Sequence, residues 1–268
     1  MSDPSAPIGV FDSGVGGLTV LRALRRALPS ASFLYLGDTA RLPYGTKSAA
    51  TVTRYSEQCA AALIERGIGC LVVACNTASA FALSALERRY ADIPVIGVIE
   101  PGAAAAVAAS ASQRIAVIGT EATVAGGAYQ AAIRRLNARA EVSTRACSLF
   151  VALAEEGWTE GPLAEAVARR YLGGLFEGEA APDTLVLGCT HFPALETAIR
   201  AVLPPGVRLV DSAATTAAAV ERRLGADSGR GGGAVRWLAT DGAARFARVG
   251  SLFLGEPLAA GEVEIVDL

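Results

Sequence analysis

The sequence predicts an α/β fold made of two pseudo-symmetric, doubly wound parallel-sheet lobes. Three observations predict it: short apolar segments alternate with helical patterns, two segments recur along the chain, and 268 residues are more than one small core needs. Apolar residues form 52% of the chain and charged residues 19%, which is typical of globular proteins with well-buried sheets.

Short runs rich in Ile, Val and Leu predict the strands, in chain order. Most are followed by small or polar residues and then by a helical pattern, as in βαβ units of a parallel sheet. The predicted strands are Ile8–Phe11, Phe33–Leu36, Cys70–Ala74, Val95–Val98, Ile115–Ile118, Thr184–Leu187, Val207–Val210 and Val235–Leu238. The clearest helical patterns span Leu18–Leu28 and Ser56–Arg66.

Two segments of the first part of the chain have counterparts in the second part. Ile8–Ser13 resembles Ile115–Thr120, and Leu71–Thr77 resembles Leu185–Thr190. Because the two pairs are separated by similar lengths of chain, they indicate a degenerate internal duplication rather than a chance likeness of Val-rich strands. We therefore expect two like lobes that face each other, with the functional site between them.

The duplication also predicts how the chain is divided. We expect a first lobe formed by residues 1–97 plus 211–268 and a second lobe formed by residues 98–210. The glycine-rich stretch Ser228–Gly233 is predicted to be a flexible loop before the last predicted strand.

Residue types that are scarce in this chain argue against several cofactors. Pyridoxal enzymes need a Schiff-base lysine, and the single lysine, Lys47, lies in a polar, turn-like stretch. Histidine-rich zinc sites are excluded by the single histidine, His191, and no two cysteines form a Cys-x-x-Cys pair. We therefore expect neither a cofactor nor a bound metal.

Charge and hydropathy indicate where the protein works. Met1–Pro7 lacks the basic residues and apolar run of a secretion signal, and no stretch approaches the roughly 20 apolar residues of a spanning helix. The net charge of -2, without a basic block, argues against nucleic acid. We expect a cytoplasmic protein with reduced cysteines and no membrane or nucleic-acid partner. The oligomeric state is left open, with a homodimer as one option.

Two of the five cysteines occur in matching settings. Cys75 and Cys189 each follow a predicted buried strand and precede a predicted helix, where open α/β sheets bind ligands. Helix starts favour thiolate over thiol, so we expect a lowered pKa for both sulfurs, with Asn76, Thr77 and Thr190 as helix caps. The pair could then act as acid and base at a carbon atom. The alternative, a small buried apolar residue, is predicted for the remaining three, Cys59, Cys70 and Cys147.

Polar residues near these strand ends are further candidates. In the glycine-rich turn after the first strand, Asp12 would repel a phosphate but could hold an ammonium group or accept a proton. Asp12 could also be a simple turn cap. His191, two residues after Cys189, could exchange protons with that sulfur rather than serve only as a core histidine. Glu155 and Glu156 taken alone are typical of a solvated helix end.

Five short motifs become informative when taken together. They are Asp12-Ser13-Gly14-Val15-Gly16-Gly17, Pro43-Tyr44-Gly45, Cys75-Asn76-Thr77-Ala78, Gly97-Val98-Ile99-Glu100-Pro101-Gly102 and Gly188-Cys189-Thr190-His191-Phe192-Pro193. In this order and spacing they resemble glutamate racemase, of the aspartate/glutamate racemase family, from about Ile8 to at least Asp211. The resemblance implies an enzyme without a cofactor, with its active site between two α/β lobes, that supplies D-glutamate for peptidoglycan. Ser148 and Ala152 depart from the pattern, since prolines are usual there.

The resemblance also implies residue roles. It makes Cys75, assisted by Asp12, the base for D-glutamate, and Cys189, assisted by Glu155 and His191, the base for L-glutamate. The implied substrate-binding residues are Asp12, Ser13, Pro43, Tyr44, Gly45, Asn76, Thr77, Thr120, Thr123, Thr190 and His191.

Other functions remain open at this point. An aspartate or hydantoin racemase would share the fold, whereas a decarboxylase of the same group would keep one cysteine. A two-lobed amino-acid-binding protein would bind without turnover. A redox protein would join Cys75 and Cys189 in a disulfide with a defined potential.

Overall fold

A computed structural model describes residues 6–225 and 231–268 of the chain. The strands, in chain order, are β1 (Ile8–Asp12), β2 (Phe33–Gly37), β3 (Cys70–Val73), β4 (Val95–Gly97), β5 (Arg114–Gly119), β6 (Glu141–Ala146), β7 (Thr184–Gly188), β8 (Arg208–Asp211), β9 (Val235–Ala239) and β10 (Val263–Ile265). The α-helices are α1 (Leu18–Ala27), α2 (Ala49–Ile64), α3 (Asn76–Arg89), α4 (Ile99–Ala109), α5 (Glu121–Ala125), α6 (Ala128–Leu136), α7 (Leu149–Glu155), α8 (Gly161–Leu172), α9 (Glu196–Arg200), α10 (Ser212–Leu224) and α11 (Ala243–Leu254). Short 3₁₀ helices span Tyr44–Thr46, Phe192–Leu195 and Ala260–Glu262.

The strands of the described residues form two parallel sheets. One has six strands in the order β10-β9-β2-β1-β3-β4, and the other has four in the order β6-β5-β7-β8. The order β2-β1-β3-β4 in the first sheet matches β6-β5-β7-β8 in the second, so β1 corresponds to β5 and β3 to β7. These are the strands that the sequence repeat pairs, and the predicted fold of two parallel α/β lobes is confirmed.

The two sheets draw on different parts of the chain. The first takes strands from both ends, β1 to β4 and then β9 and β10, whereas the second takes β5 to β8 from the middle. We call the bodies around them the first and second lobes. Their residue boundaries, 1–97 with 211–268 and 98–210, stay a prediction. Residues 228–230 of the predicted glycine-rich loop and residues 1–5 of the amino terminus lie outside the described residues.

The differences between prediction and structure occur mainly at the sheet edges. Each predicted strand is present, with ends displaced by at most about one residue. Strands β6 and β10 were not predicted, because β6 is polar and partly exposed along its length and β10 has three residues of which only Val263 is buried. Helix α2 begins at Ala49 rather than Ser56, since the Ser48 side chain accepts a hydrogen bond from the Thr51 amide and caps it earlier.

Parallel strands bring their carboxyl ends to one edge of each sheet, and those two edges approach each other closely. A Cβ atom added at Gly16 would lie 2.4 Å from Thr190 Oγ1, and one added at Gly45 would lie 2.7 Å from Thr120 Cβ. Loops that follow β1 and β2 therefore pack directly on residues that follow β7 and β5. Only glycine allows this approach at either position.

The apolar residues of the chain form the buried core around the two sheets. Strands β1, β2, β3 and β7 are buried along their whole length, as expected for sheets covered on both faces. The five cysteine side chains, all within the described residues, are buried free thiols. Among the described residues, none of the helices has the length and apolarity required to span a membrane.

Candidate active site

A cavity of about 290 Å³ lies between the carboxyl ends of the two sheets. Residues of the first lobe that line it are Ser13, Gly14, Leu42, Pro43, Tyr44, Gly45, Thr46, Cys75, Asn76 and Thr77. Residues of the second lobe that line it are Thr120, Ser148, Val151, Ala152, Glu155, Cys189, Thr190 and His191. Both cysteines of the repeated motif thus line one cleft between the two sheets, where a small ligand can bind.

Two residues of the predicted site do not line the cavity. Asp12, the last residue of β1, is fully buried beneath the glycine-rich turn, where its Oδ2 accepts a hydrogen bond from the Gly14 amide at 2.9 Å. Thr123 is buried in α5 and is hydrogen-bonded to Thr77 at 3.1 Å. Neither side chain is on the cavity wall, so any effect on a ligand passes through neighbouring groups.

Cys75 is held at the start of α3 by its own sulfur. The sulfur is the N-cap of the helix and accepts a hydrogen bond from the Ala78 amide at 3.5 Å, while Cys75 Sγ lies 3.6 Å from Ser13 Oγ. Asn76 and Thr77 were expected to cap this helix; they instead form its first turn.

The expected lowering of the Cys75 pKa is wrong. Burial, together with the charge of Asp12, raises the pKa of the Cys75 thiol to about 12 and outweighs the Ala78 amide and Ser13 hydroxyl. Burial also raises the pKa of Asp12, against the opposing effect of His191. The resting state of Cys75 is therefore a thiol, which is a proton donor.

Cys189 has a different environment on the opposite side of the cavity. Its sulfur lies 3.7 Å from His191 Nδ1, and His191 Nε2 lies 3.1 Å from Glu155 Oε1. Glu155 Oε2 in turn accepts a hydrogen bond from Arg245 Nη2 at 2.7 Å. The helix start expected after Cys189 is a short 3₁₀ helix with Pro193 in its first turn, so His191 rather than a helix dipole provides the nearby positive charge.

The electrostatics of this group are strongly coupled. Burial lowers the pKa of His191, but its hydrogen bonds to Cys189 and Glu155 outweigh burial and raise that pKa to about 10. Burial raises the pKa of Glu155, but His191 and Arg245 outweigh it and lower that pKa to about 2. The imidazole is therefore cationic at neutral pH, and its Nδ1 lies 3.7 Å from the sulfur of Cys189.

Hydroxyl and amide groups complete the cavity wall. Thr77, Thr120 and Thr123 form a triangle of hydrogen bonds of 3.0 to 3.1 Å that joins the two lobes. The Tyr129 hydroxyl donates to Asn76 Oδ1 at 2.8 Å, while Asn76 Nδ2 has no hydrogen-bond partner among the described residues. Of these groups, the Thr77 and Thr120 hydroxyls and the Asn76 amide line the cavity and can bind carboxylate or ammonium groups of a ligand.

The loop that carries Pro43, Tyr44 and Gly45 is fastened by a buried carboxylate. Asp38 is fully buried, and its oxygens accept hydrogen bonds from Arg41 Nε at 2.7 and 2.9 Å, from Thr240 Oγ1 at 3.0 Å and from the Tyr44 hydroxyl. Loss of the Asp38 carboxylate would therefore release the loop that forms one wall of the cavity.

Sequence reasoning missed several residues that support the site. Asp38 follows β2 just as Asp12 ends β1, so its position at a strand end was a usable signal. Tyr129 and Arg245 gave no comparable signal, because each reaches the site from a helix distant in sequence. Within the described ranges, no group of three or more His, Cys, Asp and Glu side chains is arranged to hold a metal ion.

Comparisons with known proteins give relatives over nearly the whole chain. A glutamate racemase of Geobacter metallireducens is 53% identical, covering 99% of this chain and 98% of the relative. The crystal structure of glutamate racemase from Francisella tularensis in complex with D-glutamate has a TM-score of 0.89 at 35% identity, covering 99% of this chain and 98% of that one. The Thermus thermophilus enzyme in complex with β-chloro-D-alanine has a TM-score of 0.87 at 46% identity, covering 100% and 99%.

These relatives confirm the expectation of a racemase, which is an isomerase. The family model described as Asp/Glu/Hydantoin racemase matches residues 8–220, which include both cysteines, His191 and Glu155. The chain belongs to the Asp/Glu/Hydantoin racemase family.

Proposed function

We propose that this protein is a glutamate racemase that interconverts L- and D-glutamate by proton transfer between two cysteines, without a cofactor. The observation that carries the proposal is the placement of Cys75 and Cys189. They follow equivalent strands of the two sheets, line the same cavity from opposite lobes and have different helper groups. The printed names of the relatives support glutamate as substrate.

The proposed reaction on L-glutamate uses Cys189 as base and Cys75 as acid. The Cys189 thiolate, paired with cationic His191, removes the α-proton, and the electron pair stays on the α-carbon. The Cys75 thiol then delivers its proton to the opposite face, so the centre inverts and the charge moves to Cys75. For D-glutamate the roles are reversed, with Asp12 beneath Cys75 as the helper.

The cavity suits the carbanion that this reaction requires. Its wall offers hydroxyl groups of Ser13, Thr77, Thr120 and Thr190 and the Asn76 amide, which can hold both carboxylates. We propose that a ligand bound between the lobes displaces water from around the reacting carbon. We propose that the remaining residues implied by the resemblance, Pro43, Tyr44 and Gly45, shape this wall, and that Thr123 acts through Thr77.

We also propose a cellular role and setting. D-glutamate formed in the bacterial cytoplasm would supply peptidoglycan synthesis, consistent with the bacterial sources of the relatives. Restored growth of a D-glutamate-requiring bacterium by this gene would support the role, and failure of an expressed, active enzyme to restore growth would contradict it. A homodimer remains part of the proposal, tested by analytical ultracentrifugation.

Solvent exchange tests the reaction, and single cysteine variants test the mechanism. In deuterium oxide, L-glutamate should become D-glutamate labelled at the α-carbon. Cys75→Ser and Cys189→Ser should each lose racemisation by roughly 10² or more. Racemisation has an equilibrium constant of 1, so kcat/KM falls equally in both directions and cannot assign the faces.

Elimination from glutamate analogues with a leaving group on the β-carbon can assign them, because it needs one base. Cys75→Ser should retain elimination from the L-analogue, and Cys189→Ser from the D-analogue. Cys70→Ser, a buried thiol away from the cavity wall, is the control that should keep racemising. Full racemisation by either active-site variant would refute the two-base assignment, and a substrate panel separates glutamate from aspartate and hydantoins.

A further inference from the structure

The last α-helix, α11, contacts the second acid–base group although it lies beyond the residues 8–220 matched by the family model. Arg245, in its first turn, donates from Nη2 to Glu155 Oε2 at 2.7 Å. The ring of Phe253, in the last turn of the helix, makes an edge-to-face contact with the His191 imidazole, and the two ring centroids are 5.1 Å apart. A helix of the first lobe thus contacts both helpers of Cys189 from outside the cavity.

The bonds form a continuous chain from the sulfur to the protein surface. Cys189 Sγ meets His191 Nδ1 at 3.7 Å, His191 Nε2 meets Glu155 Oε1 at 3.1 Å, and the other Glu155 oxygen meets Arg245. The Glu155 side chain is 14% exposed and Arg245 is 47% exposed. An ion pair between two exposed side chains contributes little to stability. Here the Glu155 carboxylate is largely buried, and its other oxygen, Oε1, is already bonded to His191.

We propose that Arg245 is a positioning residue: it holds the Glu155 carboxylate in the orientation that keeps Oε1 on Nε2 of His191, and so completes the Cys189 group across the lobes. The proposal rests on the function proposed above. Without Arg245, the carboxylate is free to turn toward water, because no other described side chain is seen bonded to Oε2. The imidazole would then lose its orienting partner.

The groups around His191 determine the direction in which its pKa should change when Arg245 is removed. The groups that face the imidazole are Cys189 and Glu155, with Asp12 acting on it electrostatically and Phe253 contributing an uncharged ring. Hydrogen bonding to Glu155 is one of the causes that raise the His191 pKa to about 10. Loss of orientation therefore lowers the His191 pKa, whereas simple removal of a nearby positive charge would raise it.

The single histidine makes a direct measurement possible. With ¹⁵N-labelled histidine, the imidazole signals belong to His191 without assignment, and its titration can be followed in the full-length protein. In Arg245→Gln the midpoint should fall by about one to two pH units, the equivalent of a lost hydrogen bond to a charged group. In Arg245→Lys, which keeps a charged donor, it should stay close to the wild-type midpoint.

Kinetics provide the second readout. In Arg245→Gln, kcat for glutamate racemisation should fall on the order of 10- to 100-fold with little change in KM, because the reacting groups are misplaced rather than the ligand contacts. Arg248→Gln is the control, since Arg248 is exposed on the same helix. Circular dichroism and thermal melting check that each variant is folded.

Each outcome has a definite meaning. A lowered midpoint and a reduced kcat in Arg245→Gln, with Arg248→Gln and Arg245→Lys near wild type, support the positioning role. A raised midpoint, an unchanged kcat or equal losses in Arg248→Gln overturn it. If the wild-type protein does not racemise glutamate, the proposed function fails, whereas the His191 titration still tests the Arg245 contact by itself.

Discussion

Substitution of Gly16 by alanine should disable the site through one methyl group. Gly16 lies in the loop after β1, and a Cβ atom there would lie 2.5 Å from both Cε1 and Nδ1 of His191 and 2.4 Å from Thr190 Oγ1. The backbone of Gly16 is not in the left-handed region, so alanine meets no backbone strain. The effect therefore comes from the methyl group, which would push apart the two lobes at this contact.

The size of the effect follows from these distances. The methyl group would be about 0.9 Å closer to the imidazole than the 3.4 Å at which ordinary contact begins, so either His191 or the loop must move by about that distance. Overpacking of this kind costs about 1–3 kcal/mol of stability. A displacement of about 1 Å in a catalytic group lowers kcat by about 10²-fold.

Racemisation of glutamate is monitored by circular dichroism, and the free energy of unfolding is measured in urea on the same preparation. Gly261→Ala is the matched control, because a Cβ atom at Gly261 would meet nothing within 4 Å. We expect Gly16→Ala to remain folded at 25 °C but to lose about two orders of magnitude in kcat. Wild-type kcat and stability in Gly16→Ala would refute the close approach of the glycine-rich turn to His191.

Two further predictions concern stability. Asp38→Asn should lower the free energy of unfolding in urea by about 3 kcal/mol, because it leaves a largely buried Arg41 without its charged partner. Glu100→Gln, which breaks an exposed pair, should leave the free energy of unfolding nearly unchanged, and equal losses in the two variants would contradict the reasoning. The His191 pKa is raised from 6.5 to about 10 in the folded protein. The protonated imidazole therefore contributes fully to the free energy of unfolding below pH 6.5, and this contribution declines as pH rises toward 10. Unfolding free energies from pH 6.5 to 8.5 should fall more steeply in wild type than in His191→Gln; parallel curves would exclude this linkage.

Most of the fold was predictable because parallel strands buried on both faces leave a strong apolar signal. Strands β1 and β7 show it along their whole length, and their recurrence predicted the two lobes. Strand β6 escaped prediction because an edge strand needs no continuous apolar run. Its position beside β5 nevertheless follows from the repeat, since β2 lies beside β1 in the first sheet.

The site was predictable only where chemistry and strand ends coincide. Cys75 and Cys189 are such positions, and so is Asp12, but the protonation of Cys75 was not, since burial outweighs the helix start and only packing determines burial. Arg245 lies 90 residues from Glu155, and an exposed arginine on a terminal helix has no local pattern that assigns it a partner. The two cysteines therefore differ less by their own sequence motifs than by what the fold places behind them: a buried carboxylate behind one, and an imidazole, a carboxylate and a guanidinium behind the other. That asymmetry places a protonated thiol on one side of the cavity and, on the other, a sulfur 3.7 Å from a cationic imidazole, which is the arrangement that the two-base reaction proposed above uses.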